Sequence, residues 1–513
     1  VEVAMRRLRG LFCVLAVLGF VTAGEAQTLS RGQTPFLGSG FSASVGSGAR
    51  ALAMGGAFIA IADDSTASSW NPAGLCVLER PEASAVLQPG SKFGTDFSSF
   101  KFSDVLGPLA LSESDSASQF SESGTTLDFA SVTYPFRMGS VKLVPQFNYQ
   151  RVTNFGLDPS LPNLSFAGNF VDPGVGSLAY QGAANLTGTG SGGLDIYALS
   201  LGVSFHPKVY VGVALNLWRK GAQLSRTVNL NETDNFSFAD GSTAQSTTNQ
   251  VRATNITSSF KGTSVNVGLL LKPVDQIHVG LVYKSRFNMT YASTTTLNQN
   301  VTGGLSPGQS SVVVTDTGTV RWPQTFGAGI AIFPVDVFTL SADFTTTNWS
   351  DATYAVVRSR VDTPVGGPST TSTTSGVELF PTLADPSQPE QQGINARQVN
   401  TQQFRVGAEY ALKKPGFLNL VALPLRAGAF TDRQLFKDTT PQLGNVNFIG
   451  VTGGFGFVWS HFTLDFAYIH ESGSYRSGDF TQNLPSGEVV AHTADQEDKF
   501  HSNQFYVSTT VRF

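Results

Sequence analysis

Two neighbouring stretches decide the fold: Tyr197-Ala-Leu-Ser-Leu-Gly-Val-Ser-Phe205 and Val209-Tyr-Val-Gly-Val-Ala-Leu-Asn-Leu217, joined across Pro207. In each, large apolar residues hold every second position, and mostly Gly, Ala, Ser or Asn stand between. Successive side chains of a strand point to opposite faces, so each stretch carries one apolar face and one small or polar face. Phe338-Thr-Leu-Ser-Ala-Asp-Phe344 and Phe462-Thr-Leu-Asp-Phe-Ala-Tyr468 repeat the pattern. Outward from these, strands are expected near 82–90, 125–136, 140–153, 193–206, 208–224, 256–273, 276–291, 322–333, 336–357, 400–412, 418–432, 446–459, 461–472 and 501–513.

The connections carry as much information as the strands. Short turns at Arg137–Gly139, Pro207, Pro273–Asp275, Pro334–Val335, Lys413–Phe417 and Ser460 alternate with long polar stretches near 91–124, 154–192, 225–255, 292–321, 358–399, 433–445 and 473–500. Strict alternation of short and long connections is the plan of an outer-membrane barrel, with turns on the periplasmic side and loops outside. The expectation is an all-β, antiparallel, fourteen-stranded transmembrane barrel in a bacterial outer membrane. Phe505, Val507, Thr509, Val511 and the terminal Phe513 share one face of the last segment, and Phe513 resembles the signal that outer-membrane assembly machinery reads.

Composition agrees. Charged residues are 14% of the 513, below the roughly 25% of soluble domains, and glycine is abundant at 53. A net charge of −4 and the absence of basic clusters leave no nucleic-acid footprint. Arg6, Arg7 and Arg9 before the apolar run Leu11–Val21 read as a signal peptide, with cleavage expected after Ala26. That assigns 1–26 to the signal, 27–80 to a separate N-terminal segment and 81–513 to the barrel. Cleavage removes Cys13 and leaves Cys76 without an internal disulfide partner. No Cys/His spacing suits a metal, and neither a cofactor nor enzyme chemistry is expected.

Residues 27–80 do not alternate. They contain Ala49-Arg-Ala-Leu-Ala-Met-Gly-Gly-Ala-Phe58, then Ala62-Asp63-Asp64, then Asn71-Pro72-Ala73-Gly74-Leu75. The segment is too short for a domain and too apolar for a free tail, and fourteen strands enclose a lumen that needs filling. Pro72 fixes its own φ and disfavours helix at Asn71, making a corner. Asp63 and Asp64 are candidates to anchor the segment to basic lumen residues.

This motif resembles the long-chain fatty-acid transporter (FadL/TodX) family of outer-membrane proteins. So do Trp322-Pro-Gln-Thr-Phe-Gly-Ala-Gly-Ile330, Asn348-Trp349-Ser350, Phe404-Arg-Val-Gly-Ala-Glu-Tyr410 and Leu425-Arg-Ala-Gly-Ala-Phe430. The resemblance implies an N-terminal hatch plugging the barrel, passive uptake of fatty acids or other hydrophobic compounds, and a kinked strand opening a lateral exit into the bilayer. Outer-membrane lipids and the barrel-assembly machinery are the expected partners of a monomer. A secretion-associated branch shares a similar Asn-Pro-Ala-Gly segment, so a hatch-bearing barrel for protein secretion or surface assembly is the alternative.

Parity then assigns faces. With Phe404, Val406, Ala408 and Tyr410 toward lipid, Arg405, Gly407 and Glu409 face the lumen, and the same rule turns Lys284, Arg286, Asp343, Arg426, Asp465 and Arg512 inward. A fatty-acid site needs an apolar channel and a cation for the carboxylate, so Arg405, Arg426, Lys284 and Arg286 are its candidates. Pro145 is the favoured position for a kink, because proline within a strand removes a ladder donor. Inward Gly450, Gly454 and Gly456 are expected to leave room for the hatch or mark a kink.

Overall fold

The computed structural model describes residues 46–513 except 91, 98–99, 105–108, 114–117, 123, 173–175, 238–242, 304–307, 380–399, 417, 438–444, 478–479, 484–488 and 493–495. The expected signal peptide and the first part of the hatch lie outside the described residues.

Fourteen strands close a ring. In chain order they are β1 (Glu82–Gln88), β2 (Thr126–Thr133), β3 (Val141–Asn154), β4 (Gly176–His206), β5 (Val209–Arg219), β6 (Thr243–Val274) and β7 (Ile277–Lys284). The second half is β8 (Thr325–Val335), β9 (Phe338–Thr347), β10 (Thr401–Lys413), β11 (Ala422–Lys437), β12 (Asn445–Val458), β13 (Phe462–Ser477) and β14 (Gln496–Arg512). Each pairs antiparallel with the next. β14 returns to β1 with Glu82 opposite Arg512. The Phe513 N–H donates to the Pro81 carbonyl at 3.0 Å beside that seam. Closure leaves no free edge within the membrane, where an unpaired backbone group would cost several kcal/mol.

The faces follow the alternation. On β5, Val209, Val211, Val213 and Leu215 are exposed, while Ala214 and Asn216 are buried. Phe136, Phe205, Phe462 and Phe513 are exposed close to the short-turn end, an aromatic girdle of the kind that marks a membrane interface. An apolar belt around a closed ring, with a polar lumen, places the chain in the outer membrane as a multi-pass barrel.

The long stretches depart from expectation. Much of what reads as polar loop is strand. β4 and β6 run for 31 and 32 residues, far beyond a bilayer, because further strands pair with their outer halves. Ala222–Ser237 lies between the outer halves of β4 and β6, and Phe287–Gly303, Gly308–Trp322, Thr353–Thr363 and Thr370–Leu379 continue the sheet from β6. The ring thus rises into an extramembrane wall.

Residues 46–80 lie inside the ring as two short helices, α1 (Ala49–Ala53) and α2 (Ala67–Trp70), and a 3-10 turn at Pro72–Val77. Asn71 Oδ1 accepts the Ala73 N–H at 3.1 Å, so the Asn-Pro corner caps that turn. Ala51, Met54, Phe58, Ile61, Trp70 and Leu75 are fully buried in one cluster. Each large apolar side chain there contributes about 1.5–3 kcal/mol. This segment, the hatch, is therefore the central core of the molecule.

Candidate functional site

The hatch is seated by backbone. Eight strands carry a lumen-facing glycine where it touches the wall: Gly202, Gly212, Gly268, Gly280, Gly329, Gly407, Gly428 and Gly454. Strand register lines them up, with Gly202 opposite Gly212, Gly212 opposite Gly268, Gly280 opposite Gly329 and Gly407 opposite Gly428. A Cβ at Gly212 would overlap the Pro72 main chain, and one at Gly407 the Met54 carbonyl. Of the three glycines expected to make room, Gly454 meets Ala53 of the hatch. Gly450 instead meets the Phe430 ring, and Gly456 lies against Asp465 and Arg426.

Polar bonds complete the seat. Asn71 Nδ2 donates to the Ile59 carbonyl at 2.9 Å and to the Leu269 carbonyl of β6 at 3.1 Å. Asp343 Oδ2 on β9 accepts the Phe58 and Ile59 N–H groups at 2.7 and 2.8 Å. Arg50 on α1 reaches both oxygens of Glu409 on β10, each at 3.0 Å. Arg426 bonds Glu409 at 2.6 Å and Asp465 at 2.7 Å. Asp63 pairs with Arg50 of the hatch itself, and Asp64 accepts Thr66 N–H and O–H, so the ionic contacts with the wall are made by Arg50 and by Glu79, which Lys142 of β3 meets at 2.7 Å, and not by the two aspartates. Arg50 went unremarked in the sequence, where its only signal was a charge within a run of small residues.

Above the hatch stands an aromatic chamber. Trp218 stacks on Phe287 at 4.9 Å between ring centres, and Trp322 lies 5.6 Å from both Trp218 and Trp349. Phe260 joins through Phe155 and Tyr291. Three of the chain's five tryptophans meet here. Between chamber and hatch is a cavity of about 80 Å³, floored by Ser68 and Ser69 and bordered by Asn148, Asn216, Asn266, Gln403, Trp218 and Trp349.

The four candidate cations separate. Lys284 lines the cavity, and its Nζ donates to the Ser69 carbonyl at 3.3 Å. Arg405 is buried just behind, bonded to Thr345 at 3.1 Å and Gln403 at 2.5 Å, both of which border the cavity. Among the described residues no carboxylate lies within 4.0 Å of it. Arg426 is occupied by its two carboxylates. Arg286 is exposed and not in the lumen. The reason is local: the strand breaks at Ser285, whose Oγ accepts the Val265 N–H at 2.9 Å, and the parity count restarts at buried Phe287. Pro145 sits lipid-side on β3, opposite Leu201 of β4. On its other side the register stops at Thr133 and resumes at Phe136, and within that gap the Tyr134 N–H still donates to the Pro145 carbonyl at 3.2 Å. Among the described residues no group of three His, Cys, Asp or Glu is placed to hold a metal.

No protein-family model matches the chain, and no curated protein matches it. Solved structures do. A FadL homologue from Pseudomonas aeruginosa is 13% identical over 91% of this chain and 98% of its own, with a TM-score of 0.48. The toluene transporter TodX of Pseudomonas putida is 12% identical over 91% and 98%, with a TM-score of 0.49. The CymD monoaromatic hydrocarbon channel is 14% identical over 92% and 98%, with a TM-score of 0.46.

Proposed function

We propose that this chain is a member of the FadL/TodX family and lets hydrophobic compounds, long-chain fatty acids first among them, cross the outer membrane passively. The observation that carries the reading is the aromatic chamber set directly over a cavity whose lining includes Lys284, with Arg405 behind it. Apolar walls with one or two fixed cations suit an alkyl chain ending in a carboxylate. Arg426 positions Glu409 and does not meet solute. The hatch, with Asp63, Asp64 and Asn71-Pro72-Ala73-Gly74 shaping it, blocks a straight path to the periplasm. The solute leaves sideways into the bilayer, at the interrupted register beside Pro145. Phe513 serves assembly, not transport.

The test is a titration of the purified chain with a long-chain fatty acid and with an uncharged alkane of equal length, read by tryptophan quenching. Saturable binding of the acid is expected. Lys284→Gln and Arg405→Gln each weaken it on the order of tenfold, about 1.4 kcal/mol, and leave the alkane unaffected. If neither compound binds saturably, uptake fails and a secretion or surface-assembly barrel becomes the better reading.

A further inference from the structure

Four cations stand in a short arc on the outer face of the wall, just above the apolar belt. They are Arg219 on β5, Lys261 on β6, Arg286 at the break after β7 and Arg321 on the strand Gly308–Trp322. Register sets their spacing. Trp218 lies opposite Gly262, which puts Arg219 beside Lys261. Lys261 lies opposite Thr290 and Arg321 opposite Asn288, on the two sides of the strand that Arg286 leads into. Trp218, Phe260, Phe287 and Val320, their neighbours in the chain, are all buried inward in the chamber. By alternation the four cations face away from it, and all four are exposed. At the spacing of neighbouring strands the arc is about 14 Å wide.

These charges are unspent. Among the described residues no carboxylate lies within 4.0 Å of any of the four. Arg219 Nη1 donates to the Trp218 and Gly262 carbonyls at 2.7 and 3.3 Å, which orients the side chain and does not neutralise it. Asp195, opposite Arg219 in the register, is taken by Arg151 at 2.9 Å and Lys220 at 3.2 Å. That trio carries one positive charge in excess. Asp351 comes two residues before Thr353, the strand partner of Arg321, and forms no ion pair with it. Like charges on neighbouring strands repel, and an anion laid across them relieves the repulsion.

Depth in the membrane selects the anion. Tyr149 and Tyr197, 5.5 Å apart between ring centres, lie one outward position below Arg151 and Asp195. Tyr283 and Phe326, 4.9 Å apart, lie just below Arg286. Outward aromatics mark the membrane interface, so the cations stand at headgroup level. Beneath them Val213, Leu215, Val267 and Leu281 are exposed on the same strands.

We infer that Arg219, Lys261, Arg286 and Arg321 bind the phosphates of the phosphorylated glycolipid of the outer leaflet, whose acyl chains lie on the apolar belt below. A free anion gains nothing from that belt, whereas an amphiphile uses both surfaces. Three of the four are arginines, whose guanidinium groups bond phosphate oxygens in pairs. The inference stands apart from the uptake reading, because neither Lys284 nor Arg405 takes part in it.

The experiment is native mass spectrometry of the full-length chain in detergent, titrated with diphosphoryl lipid A and, separately, with the same lipid stripped of its phosphates. Saturable binding of the phosphorylated lipid alone is expected. Arg219→Gln with Lys261→Gln, and Arg286→Gln with Arg321→Gln, each weaken it on the order of tenfold. Both pairs keep the folded band on unboiled gels and the parent's tryptophan quenching by a long-chain fatty acid. Arg137→Gln with Lys413→Gln, the same change at the short-turn end, leaves lipid binding as in the parent. Equal binding of the two lipids, parent-like affinity in both double variants, or inorganic phosphate binding as tightly as the lipid overturns the inference.

Discussion

Arg50 of the hatch helix and Glu409 of β10 form a two-pronged ion pair, Nε and Nη2 each 3.0 Å from a carboxylate oxygen. Glu409 also holds Arg426, and Arg50 also holds Asp63, so the pair is the middle of a chain of five charges. Its members are not equivalent. Removing Glu409 leaves two guanidiniums facing each other, whereas removing Arg50 leaves Glu409 with Arg426. Breaking a buried pair costs about 3–5 kcal/mol. Glu409→Ala is therefore expected to lower the temperature at which the folded band is lost on unboiled gels by more than Arg50→Ala does. An equal drop in the two variants counts against the chain arrangement.

The glycine seat is tested by volume. Gly212→Val drives a side chain into the Pro72 main chain, which has no way to retreat, whereas Gly453→Ala meets only the Arg426 carbonyl at 3.8 Å. The first variant is expected to lose hatch seating and pass ions steadily in planar bilayers. The second is expected to stay as closed as the parent. Parent-like conductance from Gly212→Val contradicts backbone seating.

Asp343 gives a chemical test. Its carboxylate satisfies two main-chain N–H groups of the hatch. Asparagine keeps an acceptor and alanine keeps none, and each buried donor left without a partner costs about 1–3 kcal/mol. Asp343→Asn should melt close to the parent in calorimetry and Asp343→Ala well below it.

Cys76 reports on the hatch without any substitution. It is 2% exposed, and burial pushes its thiol up to about 12. At neutral pH it is held as an unreactive thiol in the folded state. Maleimide is expected to leave it unlabelled until denaturant is added, and Gly212→Val to make it reactive in the folded barrel. Rapid labelling of the parent means that the hatch leaves its seat unaided.

The barrel was legible because period-two alternation needs no knowledge of what a strand pairs with. The seat was not. Each glycine is unremarkable on its own strand, and only the register between strands turns eight of them into a belt. The lumen charges were legible wherever a strand ran unbroken, as at Arg405, Asp343 and Arg426, and parity lapsed where Ser285 interrupts the run before Arg286. The extramembrane wall hid for a different reason. It is rich in Thr, Asn, Gln and Ser, so segments such as 292–301 resemble loops in composition although they pair as strand.

The glycine belt divides the circumference in two. From β4 to β8 and from β10 to β12 hatch main chain comes directly against strand glycines, as at Gly212, Gly280, Gly407 and Gly428, with side-chain bonds from Asn71 and Arg50 added to it. Along β2 and β3 the hatch is held by side-chain tips instead: Ser131 and Gln146 bond the Ser65 carbonyl at 3.0 and 2.8 Å, and Asn148 bonds Ser68 at 2.9 Å. Those tips turn about single bonds on the timescale of rotamer exchange. The molecule accordingly has a stiff flank and a compliant one, and the compliant flank is where the strand register is interrupted beside Pro145. On the uptake route proposed above, a solute too large for the static cavity needs give in the structure on only that side, and the plug need not be expelled.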